Sequence, residues 1–184
     1  MGYVTLDEAK VWLNVSDDSE DELIVALIEA ASNGVDAFCN REIGKGTVTE
    51  EYTGNGTQWL FLRRTPIVSI SSISVQAYPS ATMTTLSSYT FDKTAVRRTD
   101  SGTFPYNGII TVTYVGGYDP IPADIKMAMR LTLQALRNSQ ALDPNLQGEN
   151  LGGTFGGSYS EFGPGAVPRA ARFILNNYIA RFTP

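Results

Sequence analysis

Apolar residues recur with two different periods along this chain, and the change from one to the other divides it. Near both ends they fall three and four positions apart, the spacing of a helix with one buried face; between 47 and 115 they alternate, the spacing of half-buried strands. Thr5 with Glu8 three residues on has the spacing of a capping box, which predicts a short helix through Leu13 that ends near Asn14. Ser19 and Glu22 repeat that spacing, and acids follow in a first turn, where the helix dipole favours negative charge. Leu23, Leu27, Ala30 or Ala31, and Phe38 then form one stripe, with Ile24, Ile28 and Val35 beside it. This predicts a helix to about Asn40, interrupted only by Gly34, with an apolar face broad enough to need cover on two sides.

In the alternating region, 47–52 and 58–62 flank Thr53, Gly54, Asn55, Gly56 and Thr57, which predicts a hairpin. Pro66 leads into a strand over 67–75, and the Ser/Thr/Ala-rich stretch 76–88 reads as a loop. Segments 89–91 and 95–98 predict a second hairpin around Asp92 and Lys93. A last strand, 109–115, stops at Gly116 and Gly117. Five or six short strands with tight turns imply an antiparallel sheet.

Helix returns after Pro122, which suits a first helical position, and Ile125, Ala128, Met129, Thr132 and Leu136 carry its stripe to about Ser139. Residues 143–165 hold seven glycines and two prolines, so a single conformation there is entropically expensive. Yet Leu151, Phe155, Tyr159 and Phe162 supply anchors that a plain linker does not need, so the segment reads as a flexible arm ordered by a partner or packed back on its own domain. Val167, Ala171, Ile174, Leu175, Tyr178 and Phe182 then space a final helix that begins near Pro168. The fold class expected is α+β. Residues 1–46, 117–142 and 166–184 supply one helical bundle from both chain ends, 47–116 form an antiparallel β-rich insert, and 143–165 form the arm.

Composition narrows the chemistry. The 184 residues are 42% apolar and 18% charged, enough for a sizeable core. With no histidine and one cysteine, Cys39, there is no intramolecular disulfide, no Cys/His zinc site and no histidine-based nucleophilic pair. Cys39, in the last turn of an apolar helix, reads as an inert core thiol. No apolar run approaches the roughly 18 residues that cross a bilayer. The start of the chain lacks the basic-then-apolar pattern of a signal peptide, so a reducing cytoplasm is the expected place of synthesis.

The charge is lopsided. Residues 1–40 hold nine acids against Lys10 alone, whereas the remainder is mildly basic. Asp17, Asp18, Glu20, Asp21 and Glu22 read either as a solvated helix start or as an acidic face for a neighbouring copy. They lack the glycine and the spacing of a calcium loop. Arg63, Arg64, Arg97 and Arg98 sit on or beside strands, where they face DNA or an acidic neighbour, or guard a sheet edge. The net charge of −5 argues against sequence-specific DNA binding. Gly44–Thr47 and the glycines at 152–157 fail the phosphate-loop and dinucleotide patterns, and no carboxylate pair is marked for acid–base work. No cofactor, metal site or catalytic residue is expected.

The order of the parts resembles one family. Val4–Val15 followed by Asp17, Asp18 and 21–31 looks like the two-helix start of the head–tail connector (adaptor) proteins of long-tailed bacteriophages and prophages. The stretches 51–60 and 64–70 are similar to the hairpin of that family's longer, β-inserted branch. The step from 114–118 into the helix at 121–126 is shared, as is a glycine-rich, aromatic-bearing tail over 149–162 before a last helix. The resemblance spans nearly the whole chain, but its motifs are loose and include no diagnostic catalytic residue.

That resemblance implies a structural role in the virion, at the head–tail interface. A dodecameric ring docks beneath the portal protein, extends the channel through which DNA passes, and offers a platform to a stopper, tail-completion protein or tail. It also implies that 146–162 is an arm that grips the portal or a neighbour through Leu151, Phe155, Tyr159 and Phe162, with Tyr178 in the helix that follows. A different class of function, a carbohydrate- or cell-surface-binding module, would use Trp59, Tyr78, Tyr106 and Tyr118 of the β insert.

Overall fold

A computed structural model describes residues 2–77, 82–140 and 167–180. The arm and its candidate anchors Leu151, Phe155, Tyr159 and Phe162 lie outside the described residues, as do Tyr78 and Phe182. The described chain forms four α-helices and seven antiparallel strands, so the expected α+β class holds. It divides into two compact units: a helical one from the two ends, divided from the rest after Arg41 and before Ile121, and a β unit, Glu42–Pro120.

In the helical unit, α1 (Leu6–Leu13) starts on the capping box: Thr5 Oγ1 accepts from the Glu8 N–H at 3.2 Å, and the Thr5 N–H donates to Glu8 Oε2 at 3.0 Å. Asn14 ends it in the left-handed region at φ 55°. The second cap differs from expectation. Helix α2 (Asp21–Cys39) has Glu20 at its cap position without a side-chain bond, because Asp17 has already taken the Ser19 hydroxyl and N–H. Its buried stripe runs through Ile24, Leu27, Ile28, Ala31, Val35 and Cys39, centred on the residues expected there, whereas Leu23 and Ala30 are exposed and Phe38 is half-buried. Helices α3 (Ala123–Gln140) and α4 (Arg169–Leu175) bury Ile125, Ala128, Met129, Leu133, Ala171 and Leu175. Pro122 precedes α3 and accepts from the Lys126 N–H at 3.0 Å rather than occupying its first turn. The final helix is shorter than its apolar spacing suggests, passing at Asn176–Tyr178 into a 3-10 turn. The buried hydroxyls of Ser32 and Thr132 are satisfied by the carbonyls four residues back, at 2.7 and 2.8 Å.

The β unit holds two antiparallel sheets, in strand order β1-β7-β3-β4 and β2-β6-β5. The first comprises β1 (Gly46–Thr53), β3 (Ile67–Gln76), β4 (Met83–Thr85) and β7 (Ile109–Gly116); the second comprises β2 (Trp59–Phe61), β5 (Tyr89–Phe91) and β6 (Ala95–Arg98). The expected hairpin between 47–52 and 58–62 does not form. Strand β1 pairs along its whole length with β7, and β2 pairs with β6. The Gly54–Thr57 segment instead carries the chain from one sheet to the other, held by Gly54 N–H to Gly108 O (2.8 Å) and Phe104 N–H to Thr57 O (2.7 Å). The hairpin of β5 and β6 does form, with Asp92 accepting from the N–H groups of Thr94 and Ala95. The stretch 76–88 is not wholly loop, since β4 within it pairs with β3.

Alternate residues of both sheets meet in one core: Leu60, Leu62, Ile73, Val75, Val96, Phe104, Ile110, Val112 and Tyr114. At the base of the unit the Tyr118 N–H donates to Ile43 O at 2.9 Å and the Lys45 N–H to Tyr118 O at 3.0 Å. Gly117 is required there. Its φ is +100°, and a Cβ would sit 2.3 Å from the Gly44 carbonyl oxygen.

Candidate functional site

The acidic run is partly neutralised within its own unit. Lys10 Nζ pairs with Asp18 at 2.7 Å and Asp21 at 2.6 Å, and those two carboxylates, Asp18 first, push its pKa up. Glu20 pairs with Arg137 at 2.6 Å, and Glu8 with Lys126 at 2.6 Å, which lowers the Glu8 pKa. Asp17, lowered by the Ser19 hydroxyl, serves as a turn carboxylate. Of the five predicted acids, Glu22 is the exposed one with no hydrogen-bond or ion-pair partner among the described residues. Sequence reasoning did not single out Glu29, two turns along α2, which is also exposed and unpaired there. Helical spacing puts the two on one side, and that was the available signal.

The four arginines divide into two kinds. Arg64 is mostly buried: its Nε and Nη2 donate to the Gly44 carbonyl at 3.0 and 2.5 Å, and its Nη1 pairs with Glu42. Arg98 pairs with Asp100, donating from Nε at 3.0 Å and from Nη2 at 2.6 Å, and its Nη1 donates to Thr103 O at 2.8 Å. That pairing holds the Asp100 carboxyl down at about 2 and raises the Arg98 pKa. Both therefore fasten loops of the β unit. Arg98 also lies over the Phe104 ring at 5.9 Å, and the more exposed Arg63 and Arg97 lie over Tyr52 at 5.5 Å and Trp59 at 5.4 Å.

Around Arg97 is a surface that the pattern did not single out. Trp59 and Phe61 share the face of β2 opposite buried Leu60, and Arg97 and Ala95 are their direct cross-strand partners. Trp59 is 41% exposed and Phe61 57%. A shallow open cavity of about 490 Å³ lies against them, lined also by Ala95. Of the other aromatics weighed for sugar binding, Tyr106 is exposed but does not line this cavity, and Tyr118 lies at the base of the unit.

In the four-stranded sheet, a hydrogen-bonded chain from β1 and β7 fixes the loop that carries Arg63 and Arg64. Glu50 accepts from the hydroxyls of Tyr52 and buried Tyr114, the latter at 2.6 Å. Those oxygens accept in turn from the N–H groups of Arg63 (2.9 Å) and Arg64 (2.8 Å). Burial, reinforced by Glu50, pushes both phenols well above the usual tyrosine range, so they are neutral donors. In the helical unit Tyr178 is likewise engaged, its hydroxyl donating to Asp124 Oδ2 at 2.5 Å and its carbonyl accepting from Arg41 Nε at 2.8 Å.

Among the described residues no group of three or more His, Cys, Asp or Glu side chains is placed to hold a metal ion. No described helix is long and apolar enough to cross a membrane. The described geometry comprises internal ion pairs and hydrogen bonds, with an exposed aromatic–arginine face on the β unit and exposed carboxylates on α2.

A similar fold occurs in a particle neck. The chain is similar to a chain from the neck of an empty GTA particle computed with C6 symmetry, at a TM-score of 0.66 and 10% identity, over 99% of this chain and 92% of that one. No curated protein sequence matches it. The profile of the head completion protein family matches residues 3–180, and the chain belongs to that family. It is a structural component of the head–tail junction of a phage or phage-like particle. Nothing in these comparisons supports the carbohydrate-binding alternative.

Proposed function

We propose that this head completion protein is a non-enzymatic adaptor that assembles as a ring beneath the portal. In this reading it continues the DNA channel and presents the docking platform for a stopper or tail-completion protein. The observation that carries this is the family match across residues 3–180. A ring is supported by the fold it shares with a chain of a neck computed with C6 symmetry, and a dodecamer is a multiple compatible with that symmetry. A closed ring needs two different complementary surfaces on each copy, and the contrast between the acidic helical start and the aromatic–arginine face of the β unit suits that need.

In this reading Leu151, Phe155, Tyr159 and Phe162 are the portal-gripping anchors. A Gly-rich segment carrying apolar side chains meets its ordering cost when it binds. Tyr178, already held by Asp124, fixes the chain that follows them. Arg63 and Arg97 face a neighbour or passing DNA, whereas Arg64 and Arg98 hold their own loops. The protein works without a cofactor, because its task is to dock and to let DNA slide.

The test is binding to the purified portal ring encoded by the same genome, followed by sedimentation and electron microscopy. Added ring-shaped density at one end of the portal is the expected result, lost when Leu151, Phe155, Tyr159 and Phe162 are together replaced by Ser, which leaves α4 and its buried Ala171 and Leu175 in place. Folded protein that leaves the portal unchanged overturns the reading.

A further inference from the structure

The exposed face of the three-stranded sheet has the composition of a binding centre rather than of ordinary surface. Aromatic residues and arginine are enriched at the energetic centres of interfaces, where they are buried on docking. Here Trp59 and Phe61 stand open on one face with Arg97 beside them, and a concave space lies against them. Arg97 has no carboxylate partner among the described residues. Its neighbour Asp92 is occupied by the turn of its own hairpin, accepting from Thr94 and Ala95. The face therefore calls for a partner that is apolar at its centre and carries a carboxylate near Arg97.

The chain itself carries such a surface. Glu22, Val25 and Glu29 occur at i, i+3 and i+7 on α2, so they share its outer side. Val25 is 44% exposed, Ala26 and Ala30 beside it are exposed, and both glutamates lack partners among the described residues. The opposite side of α2 is already buried in the helical unit. The breadth of its apolar face, which required cover on two sides, thus leaves one side uncovered. Charge complementarity and the exposed small apolar side chains suit a shallow aromatic sheet face.

We propose that the Trp59–Phe61–Arg97 face of one copy docks on the Glu22–Val25–Glu29 side of α2 in the next. This rests on the ring reading above and deepens it by naming the two halves of the contact between copies. Trp59 and Phe61 cover Val25 and Ala26, and Arg97 meets Glu29 or Glu22. The two surfaces differ, so the contact is head-to-tail and each copy keeps one free half for a further neighbour.

Single cysteines placed beside the anchors test this without removing them. Thr90 is the exposed cross-strand partner of Arg97, and Ala26 is exposed next to Val25. Full-length Thr90→Cys and Ala26→Cys proteins, mixed and oxidised, are expected to form disulfide-linked heterodimers. The yield should exceed by about tenfold that obtained when Lys45→Cys replaces Thr90→Cys, the weight of a well-placed anchor and ion pair. Adding Arg97→Glu to the first protein should abolish the excess, and adding Glu29→Arg to the second should restore it. Native Cys39 is buried and stays out of the reaction. Homodimers of Thr90→Cys alone would show the face packing on itself and overturn the proposal. Absence of crosslinks from a protein that still forms rings on the portal would overturn these surfaces but leave the ring. Absence of both would remove both.

Discussion

Replacing Tyr114 by Phe removes one oxygen from the core of the β unit and leaves the ring in place, so no cavity is opened beyond the hydroxyl itself. Tyr114 is fully buried, and its hydroxyl both donates to Glu50 at 2.6 Å and accepts from the Arg64 N–H at 2.8 Å. A hydrogen bond to a charged group contributes about 1.5–3 kcal/mol, and leaving a buried N–H without a partner costs about 1–3 kcal/mol. Glu50 is only half-buried and keeps the Tyr52 hydroxyl, which offsets part of the first loss. The net expectation is a destabilisation of about 2 kcal/mol. Tyr52→Phe should cost about half as much, because the Arg63 N–H it abandons belongs to an exposed residue and water replaces the hydroxyl. The two tyrosines share Glu50, so the double variant should depart from additivity. Urea unfolding read by Trp59 fluorescence, in a Trp12→Phe background, would show this as a fall of about 1–2 M in the midpoint for Tyr114→Phe, at an m-value of roughly 1–2 kcal/mol/M. A change below about 0.5 kcal/mol would refute the claim that this chain of hydroxyls holds the Arg63–Arg64 loop.

Three further outcomes are expected. Thr5→Ala removes the hydroxyl that accepts from the Glu8 N–H, while the backbone N–H that donates to Glu8 remains, and should cost about 1 kcal/mol in thermal or urea unfolding; Ser19→Ala should cost less because Ser19 caps no helix. Asp100 has its carboxyl lowered from 3.8 to about 2 by Arg98, so the stability it contributes is present above pH 4 and fades as pH falls towards 2. Asp100→Asn should accordingly narrow the melting-temperature gap to the unsubstituted protein over that window, and parallel curves would contradict the pairing. Cys39 is fully buried with its thiol pushed up to about 11, so a maleimide should label it only after denaturant is added.

How far the fold was legible depended on how local each signal was. The Thr5–Glu8 cap and the β5–β6 hairpin are fixed by side chains within three or four residues of the backbone groups they satisfy, and both formed as the spacing suggested. The Gly54–Asn55–Gly56 turn signal was equally local but misleading. Whether β1 pairs with β2 is decided by competition with β7, more than fifty residues away, whose eight-residue register gains far more than a three-residue strand offers. The Ser19 cap failed for a similar reason, since Asp17 took the hydroxyl first.

The candidate site was legible in its residue types more than in their roles. Charge counting found the acidic start but could not see that Lys10 and Arg137 neutralise three of its five named members. The paired arginines looked alike in sequence. The Gly44 carbonyl, twenty residues away, turned Arg64 into a fastener, Asp100 and the Thr103 carbonyl in the following loop did the same for Arg98, and strand alternation left Arg97 on the open face with Trp59. The exposed pair Trp59 and Phe61 follows from the alternation around Leu60, a signal present in the sequence once the strand is placed.

The central claim is that the protein completes the head so that a tail can join. Deleting its gene from the phage or prophage that encodes it, and imaging the particles made with and without a complementing copy, tests this most directly. Separate heads and tails in the deletion, joined again by complementation, are the predicted result; tailed, infectious particles formed at the normal level without the protein would contradict the account.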